Sequence, residues 1–219
     1  MPGMISLGWR MWRAGYNPAE IVNLLELRQA LEGCSTVLDV GCGPTSRLRH
    51  FGFRHLAGIE GYLPSLEAAR KNGTHHELVQ GDVRSLENYF QAGQFDACVA
   101  LDVIEHLTKE DGMKLMRSME RCASKRVVFL TPKGFLPQRH TANDDLQEHL
   151  SGWEVEEMRS LGYEVIGELG AKSLRGEYHA LRHWPRFFWG IVSLLSHWLW
   201  TKRHPEKAAA ILCVKKQPD

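Results

Sequence analysis

The segment Val37-Leu38-Asp39-Val40-Gly41-Cys42-Gly43-Pro44-Thr45-Ser46 constrains this chain more than any other, because it joins a short β-rich apolar run directly to a glycine turn. Such a junction predicts a strand that stops abruptly at a tight turn. Gly41 and Gly43 can adopt backbone angles closed to other residues, and neither carries a side chain that would block a nucleotide-like ligand. Asp39 precedes the glycines, and Ser46 stands where the G-x-G-x-x-G of nicotinamide and flavin enzymes has its third glycine, so the pattern favours another cofactor.

Four more apolar runs follow. Leu56-Ala57-Gly58-Ile59 ends in Glu60, nineteen residues beyond Gly41, where a nucleotide-binding βαβ unit places an acid to accept hydrogen bonds from ribose hydroxyls. Glu77-Leu78-Val79-Gln80 leads to Gly81-Asp82-Val83, and residues 95–101, ending in Leu101, lead to Asp102-Val103-Ile104-Glu105-His106. Arg126-Val127-Val128-Phe129-Leu130 leads to Thr131-Pro132. Stretches of helical character, including 64–72 and 109–122, separate the runs, and this alternation predicts an α/β fold with a parallel sheet covered by helices. Residues 18–31 read as an earlier amphipathic helix that offers Ile21, Leu24, Leu25, Leu27 and Leu31 for packing.

With these residues in order, the chain resembles the class I S-adenosylmethionine-dependent methyltransferases of the type 11 kind, whose first motif reads V-L-D-x-G-C-G-x-G or close to it. Pro44-Thr45 departs from the usual final glycine. The resemblance covers about residues 30–170. It implies a Rossmann-like seven-stranded sheet in the order 3-2-1-4-5-7-6, with strand 7 antiparallel and helices on both faces. The sixth strand would follow a helix near 151–161, and the seventh would lie at 208–214. It also implies S-adenosyl-L-methionine as cofactor, held by Asp39, Gly41, Cys42, Gly43, Glu60, Gly61, Tyr62, Asp82, Val83 and Leu101. Within that set Glu60 would serve the ribose and Asp82 the adenine amino group.

A chain of 219 residues that is 43% hydrophobic can bury one substantial core. The expected organisation is a single domain, 1–219, comprising a helical cover (1–33), a donor-binding core (34–170), an aromatic helical insertion (171–207) and a last strand with its tail (208–219). With 27 basic and 26 acidic residues the formal charge is +1, which offers no global attraction to a long phosphate backbone and disfavours nucleic acid as a partner, a local basic patch aside. Cys34, Cys42, Cys98, Cys122 and Cys213 are scattered through apolar runs without C-x-x-C spacing and read as reduced core residues. Residues 1–12 carry charges and no long apolar segment followed by a cleavage site, so the expected location is cytoplasmic.

Methyl transfer from a sulfonium is an in-line displacement, so the protein must align the acceptor and remove or hold one proton. Asp102, Glu105 and His106 leave the fourth strand at its carboxyl end, beside the donor crevice. His106 is the leading general base, because imidazole changes protonation near neutral pH, and Glu105 can orient or tune it. The D-x-x-E-H segment is also similar to the E-x-x-E-H of small-RNA 3′-terminal 2′-O-methyltransferases and to a segment of ubiquinone-pathway O-methyltransferases, with Asp102 where the RNA enzymes have Glu. That similarity implies a Mg or Mn site built from Asp102, Glu105, His106 and His149, the last from Glu148-His149-Leu150-Ser151-Gly152-Trp153. The polar stretch 133–145 offers Gln138, Arg139, His140, Asn143 and Asp144 as acceptor contacts.

Residues 182–204 are unusual, holding four of the seven tryptophans. A helix begun by Pro185 puts Phe187, Phe188, Ile191, Leu194, Leu195 and Trp198 on one face and Ser193, Ser196 and His197 opposite. Its fourteen-residue apolar stretch would span only about 21 Å, short of a hydrocarbon core of about 30 Å. Arg182, Arg186, Lys202 and Arg203 flank it as they would an interfacial helix, although packing of the apolar face on the protein's own core or in a dimer contact is the favoured reading. The whole predicts a methyltransferase acting on a small or lipid-linked acceptor, most simply at oxygen, with possible membrane or dimer contact through 185–200. Its rivals are a metal-dependent RNA-terminus 2′-O-methyltransferase and a non-catalytic donor-binding subunit.

Overall fold

The computed structural model describes residues 3–137, 148–176 and 179–218. Its centre is a seven-stranded sheet, β1 (Thr36–Val40), β2 (His55–Glu60), β3 (Glu77–Gln80), β4 (Phe95–Leu101), β5 (Ala123–Pro132), β6 (Glu164–Ala171) and β7 (Ala208–Lys216), in the order β3-β2-β1-β4-β5-β7-β6. β7 runs antiparallel to both neighbours, while β1 to β5 pair in parallel. Each of the five apolar runs read from the sequence is a strand, and the turn after β1 lies at the carboxyl end of the sheet, where ligands of such folds bind.

Alternation along the strands divides the core into two layers. Leu38, Val40, Cys98, Ala100, Val127 and Phe129 pack with Leu115, Met116 and Met119 of α4 (Lys109–Cys122), while Val37, Ala97, Val99 and Val128 pack on the other face. That second layer is closed by α1 (Met4–Arg13), through Leu7 and Met11, and by α2 (Pro18–Ala30), through Leu24 and Leu27. Of the residues that the 18–31 pattern offers, Leu24, Leu27 and Leu31 are fully buried, whereas Ile21 and Leu25 are only partly so. Asn17 starts α2 with a capping box, its side chain accepting from Glu20 N at 3.0 Å and Glu20 Oε2 accepting from Asn17 N at 2.8 Å. α3 (Leu63–Asn72) and the short α5 (Val155–Ser160) complete the core. All five cysteines are buried and unpaired.

The aromatic segment forms α6 (Arg186–Ser196), which runs into a wider turn at His197–Thr201. Packing of its apolar face on the core does not occur: Ser193, His197 and Thr201 are the buried side chains, and Phe187, Phe188, Ile191, Leu195 and Trp198 face outward. The reason lies in β6. A Cβ on Gly170 would stand 2.3 Å from Ser193 O, and one on Gly167 2.0 Å from Thr201 O, so the helix rests its backbone on two glycines, a contact open only to its small polar stripe. Ser193 Oγ then donates to Leu169 O at 3.0 Å, and Ser196 Oγ accepts from Ala171 N at 3.0 Å. Below them, Glu26 of α2 accepts from Lys202 Nζ at 2.7 Å and pairs with His197 Nε2 at 3.1 Å.

Candidate active site

β1 stops at Val40 because Gly41 takes φ 64°, and the turn is held by Gly41 N and Cys42 N donating to Ile59 O at 2.9 and 3.2 Å. Gly43 follows at φ 61°, with open space where a side chain would be. Glu60, at the end of β2, faces this turn, its two carboxylate oxygens accepting from Gly43 N at 2.9 Å and Tyr62 N at 2.8 Å. Asp39 is buried beneath, accepting from Ser46 Oγ at 2.6 Å, while His75 bridges Asp39 Oδ2 at 3.2 Å and Thr74 Oγ1 at 2.8 Å. Asp39 thus braces the turn from below, a role the serine at motif position 46 makes possible.

Above the turn is a pocket of about 390 Å³ walled by Asp39, Gly41, Cys42, Gly43, Glu60, Tyr62 and Leu101, with Tyr16, Arg47 and Asp102 on its far side. Those first seven are residues the sequence assigned to the donor. The other three assigned there stand elsewhere: Gly61, Asp82 and Val83 are not in this wall. Asp82 is clamped by the Arg84 guanidinium at 2.7 and 3.0 Å, which holds its carboxyl below the ordinary range. Val83 packs against the core.

Beyond Tyr16, Arg47 and Asp102 the space widens into a cleft of about 840 Å³. Asp102 leaves β4 at φ 56° and meets Arg47 Nη2 at 2.6 Å. Glu105 is buried in the next turn, accepting from Thr131 Oγ1 at 3.0 Å; burial, with the charge of Asp102 behind it, pushes its carboxyl up to about 8. His149, 43 positions after His106, reaches the same floor because its segment is stitched under this turn. Leu150 N and Ser151 N donate to Glu105 O at 2.8 and 3.0 Å, and Ser151 Oγ and Trp153 Nε1 donate to Ile104 O at 3.0 and 3.3 Å. The His106 and His149 rings end 4.8 Å apart, edge to face.

Each imidazole is oriented by a carbonyl. His106 Nδ1 lies 3.1 Å from Glu148 O, and His149 Nδ1 lies 2.6 Å from Leu136 O, so each neutral ring carries its lone pair on Nε2. One potential ligand atom from each of Glu105, His106 and His149 lies within 4.8 Å of the other two. Asp102, placed by sequence in the same metal set, is taken up by Arg47 and stands outside this group. The acceptor contacts expected at Gln138, Arg139, His140, Asn143 and Asp144 lie outside the described residues.

Sequence reasoning missed Arg47 and His179. Arg47 belongs to the wall of both cavities, and His179 to the cleft, where burial holds its pKa below the ordinary value against the pull of Asp102. Among the described residues, the non-glycine residues with positive φ, Asp102, Leu169 and His179, all line this cleft, a concentration of backbone strain of the kind found where a ligand is handled. Arg47, one position after the glycine-turn motif, carries a signal only once the fold is known; His179 sits in a segment without a motif.

Residues 38–131 match the family described as Methyltransferase domain. That segment, which holds the glycine turn and β1 to β5, is similar to the class I S-adenosylmethionine-dependent methyltransferases. No curated protein sequence matches it significantly. Among solved structures it is similar to a methyltransferase from Archaeoglobus fulgidus described as SAM dependent, at 14% identity over 95% of this chain and 99% of that one, with a TM-score of 0.58. It is also similar to the methyltransferase domain of bacterial CtHen1-CN, at 17% identity over 90% and 97%, TM-score 0.55. A third likeness is to the N-methyltransferase NodS of Bradyrhizobium japonicum WM9, at 16% identity over 93% and 98%, TM-score 0.57. At these identities the likenesses establish the fold. The match to 38–131 supports S-adenosylmethionine as the methyl donor, and the open cradle over Gly43 beside the Glu60 carboxylate suits a ligand bearing hydroxyls. No described helix is long and apolar enough to cross a membrane.

Proposed function

We propose that this chain transfers the methyl group of S-adenosylmethionine to a hydroxyl of a small or lipid-linked acceptor held in the larger cleft. The observation that carries this reading is the shared wall: Tyr16, Arg47 and Asp102 line both cavities, so the donor pocket communicates with a cleft that has Glu105, His106 and His149 at its floor. Glu60 and the Gly41–Gly43 turn would hold the donor, which supplies an electrophilic methyl. His106 Nε2 receives the hydroxyl proton, while the Glu148 carbonyl keeps Nδ1–H in place. Glu105, held up at about 8 by burial, remains largely protonated at neutral pH and positions rather than abstracts. Oxygen is favoured over nitrogen by this acid and imidazole floor, which suits a group that must lose its proton as it reacts.

A second reading is metal-assisted transfer, including to a 2′-hydroxyl at an RNA terminus, and the Glu105, His106 and His149 group favours it. A divalent ion held there would polarise the acceptor oxygen, and Glu105 would then serve as a carboxylate ligand. The residues fit such an ion, because Glu105, His106 and His149 each offer one potential ligand atom and these lie within 4.8 Å of one another.

Incubation of purified protein and methyl-labelled donor with lipid, RNA and small-molecule fractions, with Mn²⁺ or with chelator, separates these readings. The first predicts chelator-resistant label in lipid or small molecules; chelator-sensitive label selects the second. His106→Ala should lower transfer about 10²-fold or more while donor binding persists. Unchanged transfer would remove His106 as base, and absence of transfer by the unaltered chain, with donor bound, would favour a regulatory subunit.

A further inference from the structure

The outward face of α6 is apolar by construction. Trp184, Phe187 and Leu199 are 86%, 81% and 79% exposed, whereas Ser193 and His197 are each 2% exposed. Rotating the helix to hide its aromatics would break the Ser193 and Ser196 hydrogen bonds and drive side chains into the Gly167 and Gly170 backbone. The helix is therefore locked with its greasy side in solvent, the opposite of what the hydrophobic effect selects unless something covers it.

Charge identifies the cover. No acidic residue occurs from His179 to Pro205, although Arg182, Arg186, Lys202 and Arg203 do, in a chain whose overall charge is only +1. The same holds from Gly3 to Ala19, where α1 exposes Ile5, Trp9 and Trp12 and carries Arg10 and Arg13. A second copy in a twofold contact would press this arginine-flanked, acid-free face against itself. Tryptophan and arginine around an apolar stripe suit the headgroup boundary of an anionic bilayer, with the helix lying in its plane. The face is also continuous with the acceptor cleft, since Phe187, Gly190, Ile191 and Leu194 line one lip and Tyr16 to Glu20 the other.

We propose that α6 and the turn after it dock on anionic phospholipid bilayers, which brings the mouth of the acceptor cleft to the lipid surface. This rests on the reading of that cleft as the acceptor site and narrows its substrate to a membrane-resident amphiphile.

The test is co-sedimentation of the full chain with vesicles of phosphatidylcholine alone and of phosphatidylcholine mixed with phosphatidylglycerol. Binding should favour the mixed vesicles, weaken as salt rises, and fall about tenfold or more in the Trp184→Ser/Phe188→Ser/Leu199→Ser variant. Arg203→Glu should weaken it further than it weakens any binding to phosphatidylcholine. Donor affinity of each variant, measured by calorimetry, checks that the fold is intact. Absence of vesicle binding, or equal binding by the triple variant, overturns the proposal. So does concentration-dependent dimerisation that the triple variant abolishes without vesicle binding, which would assign the face to a second copy. Methylation of a water-soluble acceptor without vesicle binding would sink the docking alone, whereas vesicle binding without any transfer would support docking and sink the transferase reading.

Discussion

An alanine at Gly41 would bring its Cβ to 2.7 Å from Val103 Cγ2 while holding φ at 64°. The left-handed angle and the clash act together, and Gly41→Ala should cost about 2 kcal/mol or more of stability and weaken donor binding. Thermal melts with and without S-adenosylmethionine check both; an unchanged melt would mean that the turn relaxes. Gly43 has the same backbone sign but open space above it, so its methyl group would intrude on the ligand rather than on the protein. At this scale the glycine turn and the acid that faces it were legible, because turn glycines and strand-end acids are local features. Glu60 could be named from its spacing to Gly41, and Asp39 from the motif resemblance. Their supporting partners could not: His75 reaches Asp39 from 36 positions away, and no local pattern marks it. Asp82 has the family position, yet Arg84, two residues on, claims its carboxylate.

Among the elements, all seven strands fell close to where apolar runs and resemblance placed them, because the central strands are continuous apolar runs that feed the two layers on either side of the sheet. The expectation that α6 would pack its apolar face on the core failed for an equally physical reason. Amphipathicity shows that a helix has two faces, and the usual rule sends the apolar one inward; here Gly167 and Gly170 of β6 make the small polar stripe the better fit. Gly170→Ala should therefore loosen α6 from the sheet. It costs about 2 kcal/mol or more in strain at φ 73° and overlap with Ser193 O, and raises proteolysis within 180–200 without altering donor affinity. Loss of donor binding in that variant would show that the helix and the donor pocket are one cooperative unit.

For the whole molecule, the Glu26, Glu168, His197 and Lys202 cluster ties cover, sheet edge and insertion together, and it predicts how stability changes with pH. Burial and the neighbouring Glu26 raise the Glu168 pKa well above the ordinary carboxyl range. Burial alone would raise Glu26 too, but His197, Glu168 and Lys202 outweigh it and bring Glu26 down to about 2. Folding therefore binds a proton at Glu168. Its contribution is complete below the unfolded pKa of about 4.3 and drains as pH rises toward the folded value, while that of Glu26 is present above 4.3 and lost as pH falls toward 2. Glu168→Gln removes the first slope only. Denaturation midpoints at pH 6 and pH 9 should differ less in the variant than in the parent chain, and an equal difference would mean that Glu168 is not the proton carrier.

The five unpaired thiols have a practical corollary. Cys34, Cys98, Cys122 and Cys213 are locked in the strand and helix layers, whereas Cys42 sits in the wall of the smaller pocket, 7% exposed. A maleimide reagent applied to the intact chain should therefore reach Cys42 through brief openings of one loop and the other four through disruption of the core. The chain carries a built-in stopwatch for its own breathing, with one fast hand at the ligand's doorstep and four slow ones recording the rest.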